Sequence, residues 1–66
     1  MPMINLYSKV RLNTDKYREE GAELGMIGFV IESYKDGNYE VEFSDEKGVT
    51  ISQLVLSEEE VDVIGE

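Results

Sequence analysis

Hydrophobic and polar residues alternate along the first part of the chain with the two-residue period of a β-strand. In the stretch LYSKVRLN, one face carries Leu6, Ser8, Val10 and Leu12. The other face is mostly polar, and successive side chains of a strand point to opposite sides. Residues 6–13 are therefore predicted to form a strand with one buried face.

The segment that follows, TDKYREEGAELG, is polar and contains Gly21 and Gly25. Thr14 or Asp15 can cap a turn of helix, but the two glycines interrupt any longer helix. We expect a long polar loop after the first strand, with room for one helical turn.

A hairpin is predicted from the stretch LGMIGFVIESYKDGNYEVEF, residues 24–43. Each arm carries an apolar row at alternate positions, and the two rows are Ile27, Phe29 and Ile31 in the first arm and Tyr39, Val41 and Phe43 in the second. The turn YKDGN between the arms decides which residues pair, because loop length fixes the register of a hairpin.

Two loop lengths compete in this turn. A two-residue loop, DG, would bury the charge of Glu42 in the apolar face, at a substantial cost in free energy. A three-residue loop, KDG, with its glycine in the left-handed conformation, pairs Ile31 with Val41 and Phe29 with Phe43. We expect the three-residue loop, since it places both apolar rows on one face.

This register leaves three carboxylates on the opposite, outward face of the hairpin: Glu32, Glu40 and Glu42. Residues 26–31 are apolar on both faces and include Gly28. A glycine inside a strand often marks a bulge or a sharp bend. We therefore expect the first arm of the hairpin to curve at this glycine.

Two more strands are predicted at residues 49–56 and 61–64, and SEEE between them has the pattern of a capped helical turn. Five short strands with a long loop after strand 1 predict an all-β fold, a small five-stranded SH3-like partly open barrel. A single domain over residues 1–66 is expected. Its predicted core is Val10, Ile27, Ile31, Val41, Phe43 and Ile51.

Charge is distributed unevenly along the chain, which has fifteen acidic and six basic residues and a net charge of -9. Four basic residues and one aspartate within residues 1–18 give +3, and fourteen acidic and two basic residues after them give -12. Such a surface repels phosphate backbones and anionic membranes, which are bound through clustered lysine and arginine. Neither nucleic acid nor a membrane is an expected ligand. Solubility alone is an alternative explanation of the charge.

Catalysis, cofactors and metal ions are not expected, because the chain has no histidine and no cysteine. The acidic turn SDEKG lacks the spaced ligands and terminal bidentate glutamate of a calcium loop. Neither a leader-like apolar run nor a segment long enough to span a bilayer is present in the sequence. The expected localisation is cytoplasmic.

Gly25, Gly28 and Val30 in LGMIGFV, followed by the hairpin and YEVEF, resemble the second and third strands of SH3-like and KOW-type barrels. Nearly the whole chain resembles a family of short, acidic bacterial proteins described as a domain of unknown function. The resemblance implies an SH3-like barrel and, since such families often occur in toxin–immunity systems, an immunity-protein-like role. Phe29 departs from the pattern, because the family usually has a smaller residue such as threonine there. Either the core is repacked around this ring or the ring is exposed.

Two classes of function remain. The first is an immunity protein or antitoxin that neutralises a cognate bacterial toxin, with a nuclease as the first candidate, because a nuclease displays a basic cleft that attracts an acidic surface. We expect a 1:1 heterodimer with this basic protein, and a monomer otherwise. The alternative is an SH3-like adaptor that docks on a larger cellular protein through its long loop. The residues predicted to contact the partner are Glu32, Tyr34, Glu40, Glu42, Asp45 and Glu46.

Overall fold

The computed structural model describes residues 4–64 of the chain. Its framework is five strands: β1 (Lys9–Leu12), β2 (Ile27–Ser33), β3 (Asn38–Ser44), β4 (Thr50–Ser57) and β5 (Val61–Val63). Two short 3-10 turns are present, Arg18–Glu20 in the loop after β1 and Glu58–Glu60 between β4 and β5. The predicted all-β class with five strands is confirmed.

All five strands pair antiparallel in one sheet with the order β4-β3-β2-β1-β5. The chain meanders from β1 to β4, and β5 then returns to the far side of β1. The two edge strands are therefore β4 and β5, which do not pair with each other within residues 4–64. The sheet is open and is not closed into a barrel.

The first strand begins later than its sequence pattern predicts. Tyr7 has a φ of 67°, in the left-handed region that few non-glycine residues adopt, and regular strand structure begins only at Lys9. The N–H of Tyr7 donates to the carbonyl oxygen of Val30 at 2.6 Å. This hydrogen bond keeps the segment before β1 beside β2, although Leu6 is exposed rather than buried.

The β2–β3 hairpin has the predicted three-residue loop. The N–H of Tyr34 donates to the carbonyl oxygen of Asn38 at 2.9 Å, which closes the loop around residues 35–37. Gly37 has a φ of 91°, a conformation that glycine adopts without strain. Beyond the loop, Glu32 pairs with Glu40, as the loop length requires.

A bulge at Ile31 then changes the register of the hairpin, so that Val30 pairs with Val41 and Phe29 pairs with Glu42. The predicted pairs of Ile31 with Val41 and of Phe29 with Phe43 are therefore wrong. One extra residue at the bulge moves the side chains of residues 27–30, on the far side of the bulge from the loop, to the faces opposite those predicted.

Because of the bulge, Gly28 lies opposite Phe43 and faces the core, at a position where only a glycine fits. A Cβ atom added at Gly28 would lie 2.7 Å from Cδ1 of Phe43 and 2.8 Å from the carbonyl oxygen of Glu42. The missing side chain makes room for the ring in the core. The glycine that indicated curvature in the sequence therefore also accommodates the largest side chain that the core buries completely.

The core lies on the inner side of the sheet, and its buried residues are Val10, Leu12, Ala22, Val30, Tyr39, Val41, Phe43, Leu56 and Val61. Three of the six predicted core residues are among them. Ile27 and Ile31 are only half-buried, since the bulge turns their part of β2 outward. The prediction for Ile51 is wrong, because this residue lies at a second irregularity, between β3 and β4, and is 45% exposed.

The long loop after β1 is anchored to the turn before β5 through Glu60. Its carboxylate accepts hydrogen bonds from the backbone N–H of Ser57 at 3.0 Å, the hydroxyl of Tyr17 at 2.8 Å and Nζ of Lys16 at 3.3 Å. Burial alone would raise the pKa of Glu60, but these donors outweigh it and lower the pKa. The predicted capped turn at residues 57–60 is confirmed.

Candidate protein-binding face

The outer side of the hairpin gathers three of the predicted binding residues, because cross-strand neighbours share one side of a sheet. Glu32 on β2 lies directly opposite Glu40 on β3. Glu42 follows Glu40 by two residues and points to the same side. We call this surface, made of Glu32, Glu40 and Glu42, the acidic face.

Glu40 is the best-connected carboxylate of the acidic face. Its Oε1 accepts a hydrogen bond from the hydroxyl of Tyr34 at 2.6 Å, and its Oε2 accepts one from Nε2 of Gln53 at 3.2 Å. The hydrogen bond to Glu40 raises the pKa of the Tyr34 hydroxyl. These two donors fix the direction of the carboxylate, and each oxygen keeps a lone pair for a further donor.

Glu42 lies between a polar and an aromatic neighbour. Its Oε2 accepts a hydrogen bond from Oγ1 of Thr50 at 2.9 Å. On β2 the residue opposite Glu42 is Phe29, whose ring is 45% exposed. Of the two possibilities that the sequence left for Phe29, the structure has the exposed ring.

Apolar side chains border the acidic face on two sides. Val55 on β4 lies opposite Glu40 and is 50% exposed, and Phe29 borders Glu42 from β2. Exposed aromatic and apolar groups beside charges are typical of binding surfaces, where they serve as anchors. The sequence predicts Tyr34 as a contact residue and leaves an exposed Phe29 as one of two possibilities. It missed Val55 and Gln53, because their pairing with β3 depends on a register that β4 alone does not reveal.

Asp45 and Glu46 lie in the turn between β3 and β4, beyond the end of the acidic face. The carboxylate of Asp45 accepts hydrogen bonds from the backbone N–H groups of Lys47 at 2.8 Å and Val49 at 3.0 Å. These contacts give Asp45 a local role in shaping the turn. Glu46 is exposed beside it.

The acidic face ends at β1, where the outward residues are basic. Lys9 pairs with Phe29 and Arg11 pairs with Ile27, and both basic side chains are exposed. The row from β3 to β1 therefore runs from Glu42 through Phe29 to Lys9. The outer side of the sheet thus has an acidic and a basic part with an exposed aromatic ring between them.

Residues 4–64 contain no group of three or more side chains arranged to hold a metal ion. The helical turns that the structure describes are far too short to cross a membrane. The acidic face and its apolar border form the candidate site because of the contacts described above.

The chain matches, over residues 6–63, the family described as Domain of unknown function (DUF4926). Since the match covers most of the chain, the protein belongs to this family. Neither the curated proteins nor the solved structures gave a match. The family match and the structure together establish the family and the five-stranded fold.

Proposed function

We propose that the protein is an immunity protein or antitoxin, which binds a basic toxin domain through the acidic face and blocks its active site. The observation that carries this proposal is the direct pairing of Glu32 with Glu40. Like charges opposite each other on a sheet destabilise the free protein by ~0.2–1 kcal/mol. A basic partner would remove this cost by neutralising both carboxylates.

The chemistry of a nuclease suits such an inhibitor. A nuclease cleft is basic because it must hold the phosphate backbone of its substrate. A protein with a net charge of -9 is steered toward such a cleft, and carboxylates held in fixed directions can form close ion pairs with its lysine and arginine residues. The inhibitor would thus occupy the position of the nucleic acid without being a substrate.

The resemblance of the chain to a family of short, acidic proteins, of a kind that often occurs in toxin–immunity systems, is in keeping with this role. The fold would then be a compact support that presents side chains from rigid strands. Binding residues on strands are held more precisely than those on loops. We propose a 1:1 complex with the toxin and a monomer in its absence.

An SH3-like adaptor is the second candidate, and the observation that favours it is the exposure of Leu24. This residue lies in the long loop after β1 and is 62% exposed. An exposed leucine on a functional loop can anchor a larger protein. In that case binding would depend on the loop and not on the acidic face.

A pair of matched double variants separates these candidates. Glu40→Lys with Glu42→Lys reverses two charges of the acidic face, and Glu19→Lys with Glu20→Lys reverses two exposed charges on the long loop. The partner is first isolated with the affinity-tagged protein from its native host. The affinity of each variant for that partner is then measured, together with its inhibition of the partner's activity.

We expect the acidic-face variant to bind about 100-fold more weakly or worse, since reversing close charge pairs costs ~2–5 kcal/mol. The loop variant, with the same change in net charge, should bind almost normally. Circular dichroism and urea unfolding show whether both variants are folded. Full inhibition by a folded acidic-face variant would contradict the proposed site.

A further inference from the structure

The strand β4 is an unprotected sheet edge. It runs from Thr50 to Ser57, lies at the end of the strand order and reads TISQLVLS, without any charged residue. Natural proteins usually protect such edges with lysine, proline, inward charges or bulges. The only irregularity that the structure describes in β4 lies near Ile51, and residues 52–57 pair regularly with β3.

The backbone groups of Gln53 and Val55 point away from β3, into this free edge. Asn38 directs its carbonyl group toward β2, where it accepts from Tyr34. In an antiparallel ladder the direction of these groups alternates along a strand, so that Glu40 and Glu42 also direct theirs toward β2. Their partners Val55 and Gln53 therefore do not exchange hydrogen bonds with β3.

A second hydrogen bond agrees with this assignment. The N–H of Ser57, two residues after Val55, donates to the carboxylate of Glu60 and not to β3. The N–H and C=O groups of Gln53 and Val55 therefore form a short template that can pair with another strand.

Carboxylates surround this template on three sides. Glu40 and Glu42 lie one strand inward, on β3. Asp45 and Glu46 precede β4, and the turn Glu58–Glu60 follows it. An extended segment that approaches the edge thus meets an uncharged backbone ladder, with carboxylates near both ends of β4 and on the neighbouring strand β3.

We infer that the free edge of β4 accepts an extended basic segment of the partner protein, which adds to the sheet as a sixth strand. This inference rests on the proposed function, since the segment would belong to the same basic partner. Successive side chains of a strand point to opposite faces, so the segment's apolar side chains would lie on the inner side of the sheet, beside Leu54, which is only partly buried against the core. Its arginine or lysine side chains would reach over Val55 toward the acidic face. A second copy of the chain fits less well, because it would bring two proteins of charge -9 together.

The probe for this inference is a synthetic ten-residue peptide in which arginine alternates with valine. Two N-methylated forms of the peptide serve as a matched pair, with methyl groups on one or the other alternate set of amides. When the peptide adds antiparallel, as all strands of this sheet pair, and its arginines point to the acidic face, only one set of amides can face β4. Only one methylated form should therefore lose binding. The intact protein is used throughout, and amide hydrogen exchange is followed by NMR at low salt.

With the unmethylated peptide, we expect exchange at the Gln53 and Val55 amides to slow by about tenfold or more, which corresponds to ~1.4 kcal/mol of protection. Exchange along β5, the other edge, should not change. The variant Gln53→Pro should abolish the effect without unfolding the protein, because proline is tolerated where the N–H faces away from the sheet. Should this variant fail to fold, the two methylated peptides still decide the question.

Other outcomes would overturn the inference. Peptide binding that shifts only the signals of the acidic face, with no protection at Gln53 or Val55, would exclude strand addition and leave the proposed function intact. An absence of peptide binding, or equal binding of both methylated forms, would also exclude it. Protection that rises with protein concentration without peptide, together with a dimer mass, would assign the edge to a second copy. Failure of the proposed function is seen separately, in the charge-reversal experiment on the captured partner.

Discussion

Glu60 and Glu40 each accept a hydrogen bond from a tyrosine, but they lie in two regions of the sheet that use their carboxylates differently. Glu60 lies on the β1–β5 side, and its bond to Tyr17 joins residues 43 positions apart in the chain. Glu40 lies on the β3–β4 side, and its bond to Tyr34 joins residues only 6 positions apart. The first glutamate connects distant segments of the fold, whereas the second is oriented locally and faces outward.

The distribution of cations sharpens this difference. Within residues 4–64 the one ion pair joins Lys16 to Glu60, at 3.3 Å. Glu40 instead has another carboxylate, Glu32, directly opposite. The same type of residue therefore stabilises the fold in one region and carries an unneutralised charge in the other. The comparison indicates that charges of the acidic face are available to a partner.

The largest effect on stability is expected at Gly28, the residue of β2 that lies against the ring of Phe43. Gly28→Ala should lower the free energy of unfolding by ~1–3 kcal/mol, because the new methyl group would overlap the Phe43 ring. Phe29→Thr should change it by no more than ~0.5 kcal/mol, the usual range for surface substitutions. Urea unfolding of both variants measures this contrast. The opposite order of effects would mean that Phe29, and not Gly28, faces the core.

The parts of the fold that the sequence could predict differ from the region of Gly28, which it could not predict correctly. Strand number, the hairpin loop and the capped turn before β5 depend on local patterns, and all three agree with the structure. The bulge at Ile31 depends on packing between strands, because it lets Gly28 lie over Phe43. Period-two reasoning assumes a regular strand, and one extra residue reverses its result.

The candidate site was less sensitive to this error than the core was. Glu32 and Glu40 lie between the bulge and the hairpin loop, so their outward direction follows from the loop alone. Glu42 is outward because β3 itself is regular from Asn38 to Phe43. Val55 and Gln53 could not be assigned to the site, since no local pattern in the sequence sets the pairing of β4 with β3.

A further large effect is expected on the rate of association with the basic partner. Raising the ionic strength from low to physiological should slow association by about tenfold, because charge steering is screened beyond a Debye length of about 8 Å. The dissociation rate should change less. Stopped-flow or surface-binding kinetics with the captured partner provide both rates. An association rate that does not respond to salt would favour the adaptor and binding through the loop.

A moderate effect on stability is expected from Glu60→Gln at neutral pH, ~1 kcal/mol, because hydrogen bonds to a charged group are lost or weakened. The pKa of Glu60 is lowered in the folded protein. Its contribution is therefore complete above the pKa of the unfolded chain and is lost as the pH falls through the folded pKa. The difference between wild type and variant in urea unfolding should shrink accordingly on acidification. Glu58→Gln, an exposed neighbour in the same turn, is the control, and an equal pH response in that variant would contradict the role of Glu60.

The smallest effect is expected on the acidic face and has the opposite sign. Glu32→Gln should raise the free energy of unfolding by ~0.2–1 kcal/mol, because it removes the like charge opposite Glu40. The gain should fall at high salt, which screens the repulsion between exposed charges. Urea unfolding at low and high ionic strength measures it.

Glu23→Gln, an exposed position in the long loop, makes the same change in net charge away from the acidic face. An equal gain in both variants would trace the effect to net charge rather than to the cross-strand pair. A gain confined to Glu32→Gln would show that the pairing of Glu32 with Glu40 lowers the free energy of unfolding of the wild-type protein. Weaker binding of the same variant to the basic partner would show that the partner contacts these carboxylates. A gain without any loss of binding would separate the two and remove the cross-strand pair as support for the proposed site.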